Sequence, residues 1–129
     1  MERVSLIISG DLRGGNFTYT GQMRGGKRHG FGRVVWTEGP AESYDGQWKE
    51  GFRHGQGILK WSYGAYYEGQ FREDKRHGQG FYKWPDGVSI EGEWEEGKKQ
   101  GRLIVTRANG MRYERVYEDD EMTSETPIE

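Results

Sequence analysis

The 129-residue sequence contains no cysteine. That excludes a disulfide framework, a zinc–thiolate site and a thiol nucleophile. Large apolar residues are also scarce. Leu, Ile, Val and Phe together number 21 of 129, too few for a conventional two-layer core. Long hydrophobic runs are missing as well. The stretch from Val4 to Ile8, broken by Ser5, is too short for a signal-peptide core or a membrane span. With the lack of cysteine, it points to a reducing cytoplasmic compartment. Nor is there an excess of one charge. A formal net charge of −2 gives no strong field for nucleic acid, so nucleic acid is not expected as a partner. Serine is sparse, and none of Ser5, Ser9, Ser43, Ser62, Ser89 and Ser124 sits in a nucleophile elbow. No catalysis and no cofactor are expected.

What the chain has instead is glycine and aromatic rings. Glycine accounts for 22 residues, against a usual share of about 7%. A charged fraction of 31% would by itself suggest disorder, but five Trp and eight Tyr are too many for a solvated coil. A chain rich in both glycine and rings must lay ring faces against glycine backbone.

These residues recur with a period of 23. Tyr44-Asp45-Gly46-Gln47-Trp48 leads to Arg53-His54-Gly55-Gln56-Gly57, and Tyr67-Glu68-Gly69-Gln70-Phe71 leads to Arg76-His77-Gly78-Gln79-Gly80. Upstream, Tyr19, Gly21 and Met23 lead to His29-Gly30-Phe31-Gly32. Downstream, Ile90, Gly92 and Trp94 lead to Gln100-Gly101, and a fifth start at Tyr113 breaks off. The step from Tyr19 to Tyr44 is 25, with the two extra residues between Thr37 and Ser43, where a turn accepts them cheaply.

Each unit reads as a β-hairpin. Tyr44, Gly46 and Trp48 share one face of a strand, and Gly55, Gly57, Leu59 and Trp61 share that of its partner. Lys49 to His54 is read as the turn between them. Gly64, Gly87 and Gly110 mark a second turn, with Asn16 in that place in the first copy. Gly and Asn accept the positive φ such a position requires. The expected fold is all-β: stacked hairpins in one elongated, twisted, single-layer antiparallel sheet. The array spans residues 1–117, with repeats starting near 19, 44, 67 and 90 and a partial fifth at 113. Residues 118–129 are expected to be an acidic, disordered tail.

Tyr-x-Gly-x-Trp, a glycine-containing turn and His-Gly-x-Gly at this period resemble the MORN (membrane occupation and recognition nexus) repeat. Lys-Arg-His-Gly at 27–30 and 75–78 and Arg-His-Gly-Gln-Gly at 53–57 and 76–80 carry the likeness. The fourth copy departs from it, with Ile90 for Tyr, Gln100 for His and Leu103 for the second glycine. The resemblance implies a stand-alone scaffold or adaptor in a cytoskeletal or ciliary assembly. The alternative it implies is a peripheral membrane tether for anionic phospholipid. A tether should carry uninterrupted basic clusters or an amphipathic helix, and the sequence has neither.

Two surfaces follow from this pattern as candidate sites. The first is a partner-binding groove of Tyr44, Trp48, Trp61, Tyr67, Phe71, Trp84 and Trp94, able to hold a peptide or a helix. The second is a basic edge on the turns: Lys27, Arg28, His29, Arg53, His54, Lys75, Arg76, His77, Lys98 and Lys99. The three histidines would lie about 9.5 Å apart on adjacent hairpins, too far to share a metal. Each is expected to bond a turn carbonyl. Open sheet ends also offer a homodimer.

Overall fold

The computed structural model describes residues 2–8 and 17–128, and side chains from residue 17 onward. Every regular element among them is a strand. These are β1 (Glu2–Ile8), β2 (Phe17–Arg24), β3 (Lys27–Trp36), β4 (Ala41–Lys49), β5 (Phe52–Trp61) and β6 (Tyr66–Arg72). They continue as β7 (Lys75–Lys83), β8 (Ser89–Glu95), β9 (Lys98–Lys99), β10 (Gly101–Thr106), β11 (Arg112–Glu118) and β12 (Glu121–Ile128). All belong to one open antiparallel sheet in which each strand neighbours the next in sequence. Both β9 and β10 pair with β8, so they are one strand interrupted at Gln100.

The hairpin tips are tighter than the sequence suggests. Each consists of two residues with positive φ: Gly25-Gly26, Glu50-Gly51, Glu73-Asp74, Glu96-Gly97 and Asp119-Asp120. Two positive φ values match the right-handed twist of the flanking strands. The expected turn from Lys49 to His54 therefore shrinks to Glu50-Gly51, and Arg53 and His54 belong to β5. At the other ends of the hairpins, Gly64, Gly87 and Gly110 have φ of 102°, 94° and 89°, the left-handed conformation expected of them. Asn16 lies outside the described residues.

One row of glycines crosses the sheet in register: Gly21, Gly32, Gly46, Gly57, Gly69, Gly80 and Gly92 are successive cross-strand partners. A methyl group built on Gly32, Gly57 or Gly80 would collide with the ring of Tyr19, Tyr44 or Tyr67. The tyrosines thus lie flat over paired glycines. Next to this row the register slips, between Gly21 and Met23, Gly46 and Trp48, and Gly69 and Phe71. Each slip leaves a backbone N–H without a ladder partner. Gln22, Gln47 and Gln70 fill the gap, their Oε1 atoms accepting from Phe31, Gln56 and Gln79 N–H at 2.7–2.8 Å.

Two features depart from expectation. Ahead of the repeats, β1 pairs with β2 along its full length. At the far end, the acidic segment expected to be disordered forms β12 on β11, completing a fifth hairpin. Two of its acids are answered locally. Glu125 meets Arg115 at 2.8 Å and Arg107 at 3.5 Å, and Asp120 meets Lys99 at 2.9 Å. An acidic composition that reads as solvated tail is matched to cations of the preceding strands.

Candidate functional site

Tyr, Trp and Phe from consecutive hairpins interleave on one face of the sheet. Tyr19 meets Trp48 edge-to-face at 5.6 Å, and Trp48 meets Tyr44 at 5.1 Å. Phe71 sits between Tyr44 and Tyr67, 5.2 Å from each, and Trp94 closes the row 5.3 Å from Tyr67. Ring quadrupoles favour this T-shaped contact. Each tyrosine hydroxyl donates to a backbone carbonyl three residues on, Gln47 at 3.0 Å and Gln70 at 2.9 Å. Burial raises the pKa of the Tyr44 and Tyr67 phenols, with Tyr67 pushed up to about 12 despite the opposing charge of Arg76.

This packing redistributes the predicted groove. Tyr44, Trp48, Tyr67, Phe71 and Trp94 are at most 4% exposed and form the core of the repeats. Of the seven predicted rings, only Trp61 and Trp84 keep open surface, and both are half-buried. They cluster with Tyr82, whose ring lies 5.2 Å from Trp61 and 4.4 Å from Trp84. Tyr63 joins them, 6.4 Å from Trp61, with its hydroxyl 3.1 Å from that of Tyr82. Tyr63 is 55% exposed. Sequence reasoning missed it because its repeat position holds Asp86 and Asn109 in the next copies, so no periodic signal marks it.

The basic edge is also rearranged. Arg28, Arg53, Arg76 and Lys99 fold inward over the rings. Arg28 lies 4.9 Å from the centre of the Trp48 ring and Arg53 5.4 Å from that of Phe71. Arg76 lies 5.8 Å from the Tyr67 ring and Lys99 5.1 Å from that of Tyr117. Each cation also reaches the tip of the next hairpin. Arg28 donates to the Gly51 carbonyl, Arg53 to the Asp74 carbonyl and carboxylate, and Arg76 to the Gly97 carbonyl. Backbone bonds run the other way, from Gly51, Asp74, Gly97 and Asp120 N–H to the carbonyls of Arg28, Arg53, Arg76 and Lys99. These four residues staple neighbouring repeats.

Asp120 shows the electrostatic consequence. Partial burial opposes its ionisation, but the hydrogen bonds and charge of Lys99 prevail and hold its carboxyl below the usual range. The outward cations are Lys27, Lys75 and Lys98. Lys27 faces Glu50 at 3.7 Å and Lys75 faces Glu96 at 3.3 Å. Two of the three histidines, His29 and His77, act as acceptors and not as donors to a carbonyl. Nδ1 of His29 takes the Glu50 N–H and Nδ1 of His77 takes the Glu96 N–H, each at 3.2 Å. Among the described residues no three His, Cys, Asp or Glu side chains are grouped to hold a metal ion.

An open sheet of stapled hairpins, with ring-on-glycine packing and a partly open aromatic cluster, defines a repeat protein of β-hairpin units. Its segments 19–40, 44–65, 67–89 and 91–103 match the MORN repeat, and the chain belongs to that family. No curated protein matches the chain.

Proposed function

We propose that this chain is a non-catalytic scaffold or adaptor that holds a protein partner against the Trp61–Tyr63–Tyr82–Trp84 cluster. The observation that carries this reading is the contrast on the ring face. Its centre is closed, while this cluster leaves Tyr63 more than half exposed beside two half-buried indoles. Exposed Trp and Tyr surface of this kind is typical of protein-binding hot spots. An extended segment or a helix of the partner lies across the rings. The outward cations Lys27, Lys75 and Lys98 assist by attracting an acidic surface. The setting is a cytoplasmic assembly of the cytoskeletal or ciliary kind.

The test is affinity capture from ciliated cells with wild type, Trp61→Ala/Tyr63→Ala, and Lys27→Glu/Lys75→Glu/Lys98→Glu. The aromatic variant is expected to lose the partner while keeping its β circular dichroism. The charge variant is expected to capture it more slowly, with a weaker dependence on salt. Undiminished capture by the folded aromatic variant contradicts the reading. Sedimentation of wild type with anionic vesicles at physiological salt, abolished in the charge variant, would replace it with a membrane tether.

A further inference from the structure

The sheet face opposite the rings carries a groove of about 520 Å³, floored by Gly69, Gly80 and Gly92. The floor is bare because strand alternation turns the side-chain positions of the glycine row to the ring face, where an added methyl would meet Tyr67 or Leu103. One wall is a cross-strand row in which Ile58, Glu68, Phe81, Glu91 and Ile104 are successive partners. The acids recur with the 23-residue period, as Asp45, Glu68, Glu91 and Glu114. The outer two are paired, Asp45 with Arg33 at 3.0 Å and Glu114 with Arg102 at 3.7 Å. Among the described residues no ion pair reaches Glu68 or Glu91, and both are exposed. Phe81, half-buried, stands between them.

We infer that this groove binds a basic peptide segment in the polyproline II conformation, with Lys or Arg at every third position. The spacing selects the conformation. Glu68 and Glu91 lie two strands apart, about 9.6 Å. A polyproline II chain repeats every three residues, about 9.3 Å, and returns each third side chain to the same side. A β-strand places same-side residues about 6.7 or 13.4 Å apart and misses both acids. Phe81 offers a ring face to the apolar residues between the cations. The charge is complementary: of the charged side chains lining the groove, Arg102 is paired with Glu114, and Glu68 and Glu91 remain as two unanswered carboxylates. This site lies on the opposite face of the sheet from the cluster assigned above and does not depend on it.

The probes are labelled peptides of sequence Lys-Pro-Pro-Lys-Pro-Pro-Lys and Lys-Lys-Lys-Pro-Pro-Pro-Pro, of equal composition and charge, and spermine. Binding is read by fluorescence anisotropy or competition at 0.05 M salt. The spaced peptide is expected to bind at least about 5-fold more tightly than the blocked one. Glu68→Gln/Glu91→Gln is expected to weaken it by about 5- to 10-fold, the scale of two exposed ion pairs. Both glutamates are exposed, so the variant should keep its fold, and circular dichroism checks this. The Trp61→Ala/Tyr63→Ala variant is expected to bind the spaced peptide as wild type does. Equal affinity for the two peptides, no binding of the spaced one, or an unchanged affinity in the double glutamine variant overturns the assignment. Spermine binding as tightly as the spaced peptide overturns it in favour of a general polycation site.

Discussion

The third and fourth repeats solve the same packing problem with different residues. In the third, Tyr67 lies over Gly69 and Gly80. In the fourth, Ile90 replaces the tyrosine and Leu103 replaces the second glycine, while Gly92 is kept. A methyl built on Gly92 would meet Cγ of Leu103, where one on Gly80 meets the Tyr67 ring and one on Gly69 meets its hydroxyl and the backbone of Gly80. Volume lost from one strand is thus returned from its neighbour. Ile90 and Leu103 are as buried as the ring they replace, at 2% and 0%. The repeat decays in sequence without decaying in packing. What the sheet requires is a filled layer over the glycine row, and a ring on glycine is one of two ways to fill it.

The sharpest break in this comparison is Gly80→Val. The added side chain would drive into the Tyr67 ring, which is fixed between Phe71 and Trp94. The expected loss is about 3 kcal/mol, the upper end of overpacking costs. Gly51→Ala at a hairpin tip serves as control. No atom lies within 4 Å of the added methyl, and only the positive φ of 89° opposes it, for about 1 kcal/mol. Urea midpoints measure both. Equal midpoints for wild type and Gly80→Val would remove ring-on-glycine packing from the account.

A second difference between the repeats is titratable. The third has a buried phenol where the fourth has an aliphatic side chain. The unfolded phenol ionises near the ordinary value of 10.0, and the folded Tyr67 near 12. Above pH 10 the unfolded state therefore binds fewer protons, and stability falls with rising pH. Tyr67 alone accounts for on the order of 2 kcal/mol between pH 10 and 12. Phenolate absorbance should rise together with loss of β circular dichroism. Full ionisation near pH 10 with the sheet intact would contradict the burial of these rings.

The smallest effect concerns the staples. Asp120→Asn weakens the Lys99 contact at the fifth tip, and with Asp120 about half exposed the cost is about 0.5 kcal/mol. The lowered pKa of folded Asp120 means its contribution is present above the unfolded value of 3.8 and lost as pH falls through the lower folded value. Stabilities of the two proteins, measured by urea titration, should converge in that acid range.

Much of the fold was legible because the repeat states it several times. The Tyr–Gly–Trp alternation places rings and glycines on one face, and the left-handed turn glycines recur at 64, 87 and 110. Singular features were not legible. β1 has no counterpart in the period, and the segment forming β12 has the composition of a solvated tail until Arg107 and Arg115 are placed beside it. The site was read in part. Trp61 and Trp84 were found by their period, but burial of the other five rings depends on interleaving between repeats, which spacing within one repeat does not reveal. Inward folding of Arg28, Arg53 and Arg76 was hidden for the same reason, since their acceptors lie on the next hairpin tip.

The most direct measurement is a double-mutant cycle that converts the fourth repeat into the third: Ile90→Tyr, Leu103→Gly and the two together, each unfolded in urea. Ile90→Tyr alone overfills the layer against Leu103, for about 1–3 kcal/mol. Leu103→Gly alone opens a cavity, for about 2–5 kcal/mol. Together they restore a ring over paired glycines, and the account predicts a double variant within about 1 kcal/mol of wild type, with a coupling of 2 kcal/mol or more. A double variant whose loss equals the sum of the two single losses would contradict the claim that one filled layer over the glycine row holds these repeats together.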